Sequence, residues 1–165
     1  LHPPFPLPTH TFMPLDTKIN GRRIAVSIDE EDHAHDQNAL NERRGRPHAG
    51  LQVFDVTDTA NIKPLAVFEV SEMDSPWSRT TPGRFGAHQF HEKPRGTLIF
   101  CSWFSGGLRV VDVAKPSSPR EVAYYIPQPA EGKPAPLSND VFVSDSGLIY
   151  LADRNQGLDI LELDY

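Results

Sequence analysis

Two histidines stand three residues apart in the segment GAHQFHE, at positions 86–92. Imidazole nitrogens and carboxylate oxygens are ligands for Zn²⁺, Fe²⁺, Mn²⁺ and Cu²⁺, and the same groups serve acid–base chemistry on small substrates. The segment reads as a strand, and residues of a regular strand share a face only when they lie an even number of positions apart. We therefore expect His88 and His91 to point to opposite faces and not to share one ion.

A second group of histidines and carboxylates crowds the segment IDEEDHAHDQNALNERRGRPH, at positions 28–48. Long insertions between strands are usually functional or disordered. His33 and His35 can chelate a metal ion, but their spacing is generic and no further pair of ligands accompanies them. A solvated acidic loop is the interpretation that we favour, and a metal site is the alternative.

Composition limits the class of protein. The chain has 165 residues and a formal net charge of −6, which argues against nucleic-acid binding. Sixteen prolines and eleven glycines indicate many turns and short elements. No apolar run approaches the roughly 20 residues that cross a bilayer, and Leu1–Pro8 lacks the features of a signal peptide. The single cysteine, Cys101, excludes an intrachain disulfide and reads as a small buried apolar residue.

A motif repeats along the chain. GLQVFDV, GLRVVDV and GLDILEL begin at positions 50, 107 and 157, and two further apolar runs precede each copy. A fourth run follows the first two copies, at 64–70 and 120–126. The runs are short, rich in Val, Ile, Phe and Tyr, and bounded by turn residues, so they predict strands. Asp55 and Asp112 end their strands, where a carboxylate can accept backbone N–H bonds at the turn.

Units of four antiparallel strands at this spacing are typical of β-propeller blades. We predict an all-β chain of about three blades. The boundaries are 9–70 with an insertion at 29–49, then 86–127, then an incomplete unit at 138–165, with a proline-rich arm at 1–8.

Three segments resemble the LVIVD-repeat proteins, which are mostly bacterial and often exported or surface β-propellers. They are GLRVVDVAKPSSPREVAYY, LIYLADRNQGLDILEL and GRFGAHQFHE, and the resemblance extends over 9–165. It implies a propeller and an exported, periplasmic or cell-surface location. It implies no specific activity, because a fold does not fix a function.

Three blades cannot close a ring, since propellers have four to eight. The remaining blades are expected from an upstream part of the polypeptide, which we favour, or from another chain. An incomplete last unit also leaves an exposed sheet edge, which natural proteins usually protect.

The first strands of propeller blades line the central channel. Aligning the three first strands places His10, His88 and Asp140 at one level, so we predict that they converge. Such a set can hold a divalent transition metal ion, and a structural polar layer is the alternative. Arg84, Phe85 and His91 lie nearby and are candidates for contacting a ligand.

Two functions fit these observations. The first is a binding or scaffold module with a small-molecule or protein ligand at the channel mouth. The second is a metal-dependent hydrolase, lyase or oxidoreductase with a histidine-lined site. The binding module is the interpretation that we favour, because no motif specifies a reaction.

Overall fold

The computed structural model of the protein describes residues 8–31, 47–80, 82–93 and 95–164. These residues form eleven strands and one short 3-10 helix, Glu72–Asp74. The strands are β1 (Thr9–Ile19), β2 (Arg22–Asp29), β3 (Leu51–Asp55), β4 (Lys63–Phe68), β5 (Phe85–Phe90), β6 (Leu98–Phe104), β7 (Leu108–Asp112), β8 (Arg120–Tyr125), β9 (Ser138–Val143), β10 (Ile149–Asp153) and β11 (Gly157–Leu161).

The strands form three successive antiparallel units, as in propeller blades. The first unit is the four-stranded sheet β1-β2-β3-β4, and a seven-stranded sheet contains the second unit, β5 to β8, and the third, β9 to β11, whose fourth strand is not found among the described residues. A pairing of Phe104 with Ser138 joins the second and third units. The predicted all-β, propeller-like fold is therefore confirmed. In the part of the chain that the structure describes, no helix is long and apolar enough to cross a membrane.

Each unit packs one face against the next unit. We call the face that carries the leucine of the Gly-Leu motif the forward face, and the opposite one the backward face. The forward face of the first unit packs on the backward face of the second in the larger core cluster. The forward face of the second unit packs in the same way on the backward face of the third. Between the first and second units, Ile24, Val26, Leu51 and Val53 pack against Ile99, Cys101, Trp103 and Val111. Between the second and third units, Phe100, Leu108 and Val110 pack against Ile149, Leu151 and Leu161.

The aspartates that follow the motif strands have the predicted turn role. Asp55 Oδ1 accepts from the Thr57 amide at 2.9 Å, and Asp112 Oδ1 accepts from the Ala114 amide at 2.9 Å. The hydrogen bonds from Thr57 lower the pKa of Asp55. Both carboxylates therefore shape strand ends, as the motif predicts.

Strand pairing corrects the predicted alignment of the third unit by one residue. Phe12 pairs with Ser27 and Phe90 with Cys101, whereas the equivalent pair in the third unit is Val141 with Leu151. The predicted partner, Phe142, lies one position further on. The level of His10 and His88 is therefore occupied by Asn139 and not by Asp140.

Candidate functional site

An irregularity recurs in the first strand of every unit, and it builds the site. In β1, Thr9 and Thr11 pair with the adjacent residues Asp29 and Ile28, so His10 is an extra residue. In β9, Ser138 and Asp140 pair with Asp153 and Ala152, so Asn139 is extra. Such β-bulges take a residue out of the ladder, bend the strand and re-aim its side chain.

The bulge of the second unit is larger and contains His88. Phe85 pairs with Phe104 and Gln89 with Ser102, so four steps along β5 match two along β6. The diverted backbone bonds to the first unit instead. The Ala87 amide donates to the Ala49 carbonyl at 3.0 Å, and the Ala87 carbonyl accepts from the Glu31 amide at 2.9 Å.

Gly86 allows this close approach. Its φ of +141° lies in a region that L side chains rarely adopt, and a Cβ there would lie 2.5 Å from a carboxylate oxygen of buried Glu31. Two hydrogen bonds hold the backbone on either side of the Glu30 side chain. The Glu30 amide donates to the Pro8 carbonyl at 2.9 Å, and the Glu31 amide donates to the Ala87 carbonyl of β5.

His88 is buried, and both ring nitrogens face polar groups. Nδ1–H donates to the Asn139 carbonyl, which the bulge has released from the ladder and which also accepts from Ser102 Oγ at 2.9 Å. Nε2 lies 3.6 Å from Glu30 Oε1. The imidazole also packs on Phe104, with ring centroids 4.9 Å apart.

His10 and Glu30 complete a cluster with His88. The His10 and His88 ring centroids are 4.7 Å apart, and His10 Nδ1 contacts Thr11 Oγ1 at 2.9 Å. One ligand atom from each of His10, Glu30 and His88 lies within 4.8 Å of the other two. The Nε2–Oε1 separation of 3.6 Å is near the roughly 3.3 Å between ligand atoms of a tetrahedral zinc site with Zn–N distances of about 2.0–2.1 Å.

Arg84 orients the carboxylate of this cluster. Its Nη2 donates to Glu30 Oε1 at 3.0 Å, and its guanidinium lies 4.1 Å above the centre of the Phe104 ring. Phe104 is thus flanked by Arg84 and His88, and it has a φ of +37°, which is rare for a non-glycine residue. The aromatic ring holds both groups in fixed positions around Glu30.

The protonation state of His88 follows from its surroundings. Burial lowers the pKa of His88, against the opposing effects of the Asn139 carbonyl and Glu30. Because a carbonyl only accepts, the neutral ring keeps its proton on Nδ1 and presents the Nε2 lone pair to the Glu30 carboxylate. Two acceptors then face each other, an arrangement that a bridging cation stabilises.

The structure places the other predicted site residues elsewhere. Asp140 is exposed on β9 and lines a cleft of about 320 Å³ together with His91. Its Oδ1 accepts from the Val141 amide at 2.8 Å. Asp140 is therefore not part of the cluster, because strand pairing makes Asn139 the counterpart of His10, and Glu30 supplies the carboxylate.

His91 follows the last residue of β5 and does not belong to the cluster of His10, Glu30 and His88. It packs edge-on against Phe142 with ring centroids 5.3 Å apart, and its Nδ1 accepts from the Val143 amide at 3.3 Å. His91 thus packs between the second and third units. Phe85 is fully buried and packs against His48, and His33 and His35 lie outside the described residues.

Burial of His91 predicts a pH dependence of stability. Desolvation lowers the pKa of His91 from its ordinary value of 6.5, so the unfolded chain takes up this proton first as the pH falls. The contribution of His91 to the free energy of unfolding is therefore fully present above pH 6.5. As the pH falls below 6.5, this contribution decreases by at most about 1.4 kcal/mol per pH unit. Urea unfolding from pH 8 to pH 5 should show a shallower loss for His91→Gln than for the unmodified chain. Equal slopes would contradict this assignment.

Comparison with known proteins does not assign the chain to a family: no family model matches it, and no curated protein gives a significant match. The resemblance to the LVIVD-repeat proteins stays a prediction.

Proposed function

We propose that this protein is a propeller-like binding module that holds a divalent transition metal ion through His10, Glu30 and His88. The observation that supports it is the position of His88 Nε2, which lies 3.6 Å from a Glu30 carboxylate oxygen in a cluster that also includes His10. Two imidazoles and one carboxylate suit Zn²⁺, Fe²⁺, Mn²⁺ and Cu²⁺.

Outer contacts of the kind that accompany metal ligands support the same proposal. Metal-binding histidines commonly donate their other N–H to a carbonyl or carboxylate, and ligating carboxylates are themselves hydrogen-bonded. His88 donates to the Asn139 carbonyl, and Glu30 accepts from Arg84. Arg84 also balances part of the Glu30 charge, which we expect to moderate the affinity for a cation.

Calorimetric titration of the chelator-treated protein with Zn²⁺, Mn²⁺, Fe²⁺ and Cu²⁺ tests the proposal. We expect one ion to bind per chain for at least one of these metals. Removing a residue that only hydrogen-bonds a metal ligand typically weakens metal binding by roughly 10–100-fold. His88→Ala and Glu30→Gln remove proposed ligands themselves, so each should weaken binding by more than this.

The matched control is His91→Ala, which removes a buried histidine three residues away that is not part of the cluster and should leave the affinity unchanged. Folded protein that binds none of the four ions would contradict the proposal. Equal loss of affinity in the His88 and His91 variants would also contradict it, because it would reflect general destabilisation.

Metal-dependent catalysis is the second candidate function. Three protein ligands leave a coordination position for water or substrate, as in catalytic zinc sites, and His10 is exposed at the edge of the cluster. A bound water with a pKa near 7, seen as a pH-dependent visible spectrum of the Co²⁺-loaded protein, would favour an enzyme over a plain binding module.

A further inference from the structure

The residue that follows the second strand has the same backbone contact in all three units. Its amide donates to the carbonyl of the residue that directly precedes the first strand of that unit. The three bonds are Glu30 to Pro8 at 2.9 Å, Ser105 to Arg84 at 3.0 Å and Arg154 to Leu137 at 3.0 Å. Arg154 is therefore the counterpart, in the third unit, of the cluster residue Glu30.

Arg154 lies beside the part of β9 that His88 contacts. Its amide bonds to Leu137, and two residues further on the Asn139 carbonyl accepts from His88 Nδ1. Arg154 is exposed and forms no ion pair with another described residue. The carboxylate of the neighbouring Asp153 accepts from the Leu137 amide at 2.6 Å, so it serves the turn at this end of the sheet.

The charges around the cluster agree with this placement. Burial is the main cause of the lowered pKa of His88, and the positive charge of Arg154 is among those that lower it further. A second guanidinium, that of Arg84, lies 3.0 Å from Glu30 Oε1, the same oxygen that faces His88. Two arginines thus accompany one carboxylate. With a divalent cation bound, this region is positive in a chain whose formal net charge is −6.

We propose that the ligand of this module is a small molecule with an oxyanion group, a carboxylate or a phosphate, that binds the metal ion and pairs with Arg154. Such binding rests on the proposed function, because the ion supplies one of the two contacts. Three protein ligands leave a tetrahedral ion one position for an added ligand. Guanidinium groups pair well with carboxylate and phosphate oxygens. His10 and Arg154 are both exposed, so a ligand can approach from solvent.

Calorimetric titration with two simple anions tests the proposal on the protein loaded with the ion that it binds most tightly. Acetate represents the carboxylates and methyl phosphate the phosphates, and acetamide serves as the neutral isostere of acetate. We expect at least one of the two anions to bind and acetamide not to bind. The metal-free protein should bind the same anion more weakly by at least about tenfold, the effect of losing one charge-assisted contact.

Arg154→Gln separates the anion contact from the metal site. It removes the charge at an exposed position and should weaken anion binding by roughly 10–100-fold. It should not weaken metal binding, because it removes a positive charge from the surroundings of a cation. The matched control is Arg120→Gln, which removes an arginine that is 74% exposed and lies 3.6 Å from Asp112. This control should leave both affinities unchanged.

Different results would overturn the anion site and the metal site. Folded protein that binds none of the four ions contradicts both. Metal-loaded protein that binds neither anion overturns the anion site alone, as does an Arg154→Gln variant that binds the anion as tightly as the unmodified chain. Equal anion affinity with and without metal would also overturn it, because the ion would then contribute no contact.

Discussion

Gly107→Ala is expected to destabilise the protein by roughly 2–6 kcal/mol, the sum of a strained backbone and an overpacked contact. Gly107 has a φ of +76°, where an L side chain is strained. A Cβ at this position would lie 2.1 Å from the Tyr125 carbonyl oxygen and 2.8 Å from the Ile126 Cα. These are backbone atoms of the neighbouring fourth strand and its continuation, so they cannot rotate away as a flexible side chain does.

Gly157 provides the matched control, because it occupies the same position of the repeated motif. Its φ is +106°, and nothing lies within 4 Å of a Cβ built there, since no strand of the described residues pairs with the other edge of β11. Gly157→Ala should therefore lose only the conformational part, about 1–3 kcal/mol. Urea unfolding of both variants measures the difference. Equal losses would show that the clash in the second unit relaxes at little cost.

Trp103→Ala should cost about 3–5 kcal/mol of unfolding free energy, the range for removing a large aromatic side chain from a core. Trp103 is fully buried between the first two units and meets the Phe68 ring edge-on, with centroids 6.0 Å apart. Its loss leaves a cavity between the first two units. Neither sheet can move to fill this cavity without breaking hydrogen bonds between its own strands.

The control is Trp77→Ala, which deletes the same side chain from a half-buried turn and should cost less. The chain has two tryptophans, so each variant leaves one as a fluorescence reporter. The variant that retains Trp103 should emit at the shorter wavelength, because that indole is shielded from water. A Trp103→Ala variant as stable as Trp77→Ala would contradict the assigned core.

The fold could be predicted because its signals are local and repeated. The Gly-Leu motif marks the third strand of each unit, and Asp55 and Asp112 mark the turns that follow the first two copies. Short β-branched runs supplied the remaining strands. These features depend only on residues that are close along the chain, so they can be recognised without knowledge of the tertiary structure.

The site was predicted only in part, because it depends on how the first strands pair in the folded sheets. Aligning Phe142 with Phe12 and Phe90 places Asp140 level with His88, whereas the observed pairing makes Val141 their counterpart and puts Asn139 at that level. Glu30 was missed as an individual ligand because it stands in an acidic run, DEED, where any carboxylate looks solvated. Its role depends on the Glu31–Ala87 hydrogen bond between units, which no local pattern encodes. Phe104, in the predicted turn FSGG, was missed for the same reason.

The shared hydrogen bonds of Ala87 affect how the protein unfolds. Repeat proteins whose units touch only through side chains can open one unit at a time. Here the backbone of β5 bonds to residues of the first unit on both the amide and the carbonyl side of Ala87, so separating the first two units breaks main-chain bonds. The same separation moves His10 and Glu30 away from His88. An ion bound by His10, Glu30 and His88 would therefore link the two units, and its binding free energy would stabilise them against separate unfolding.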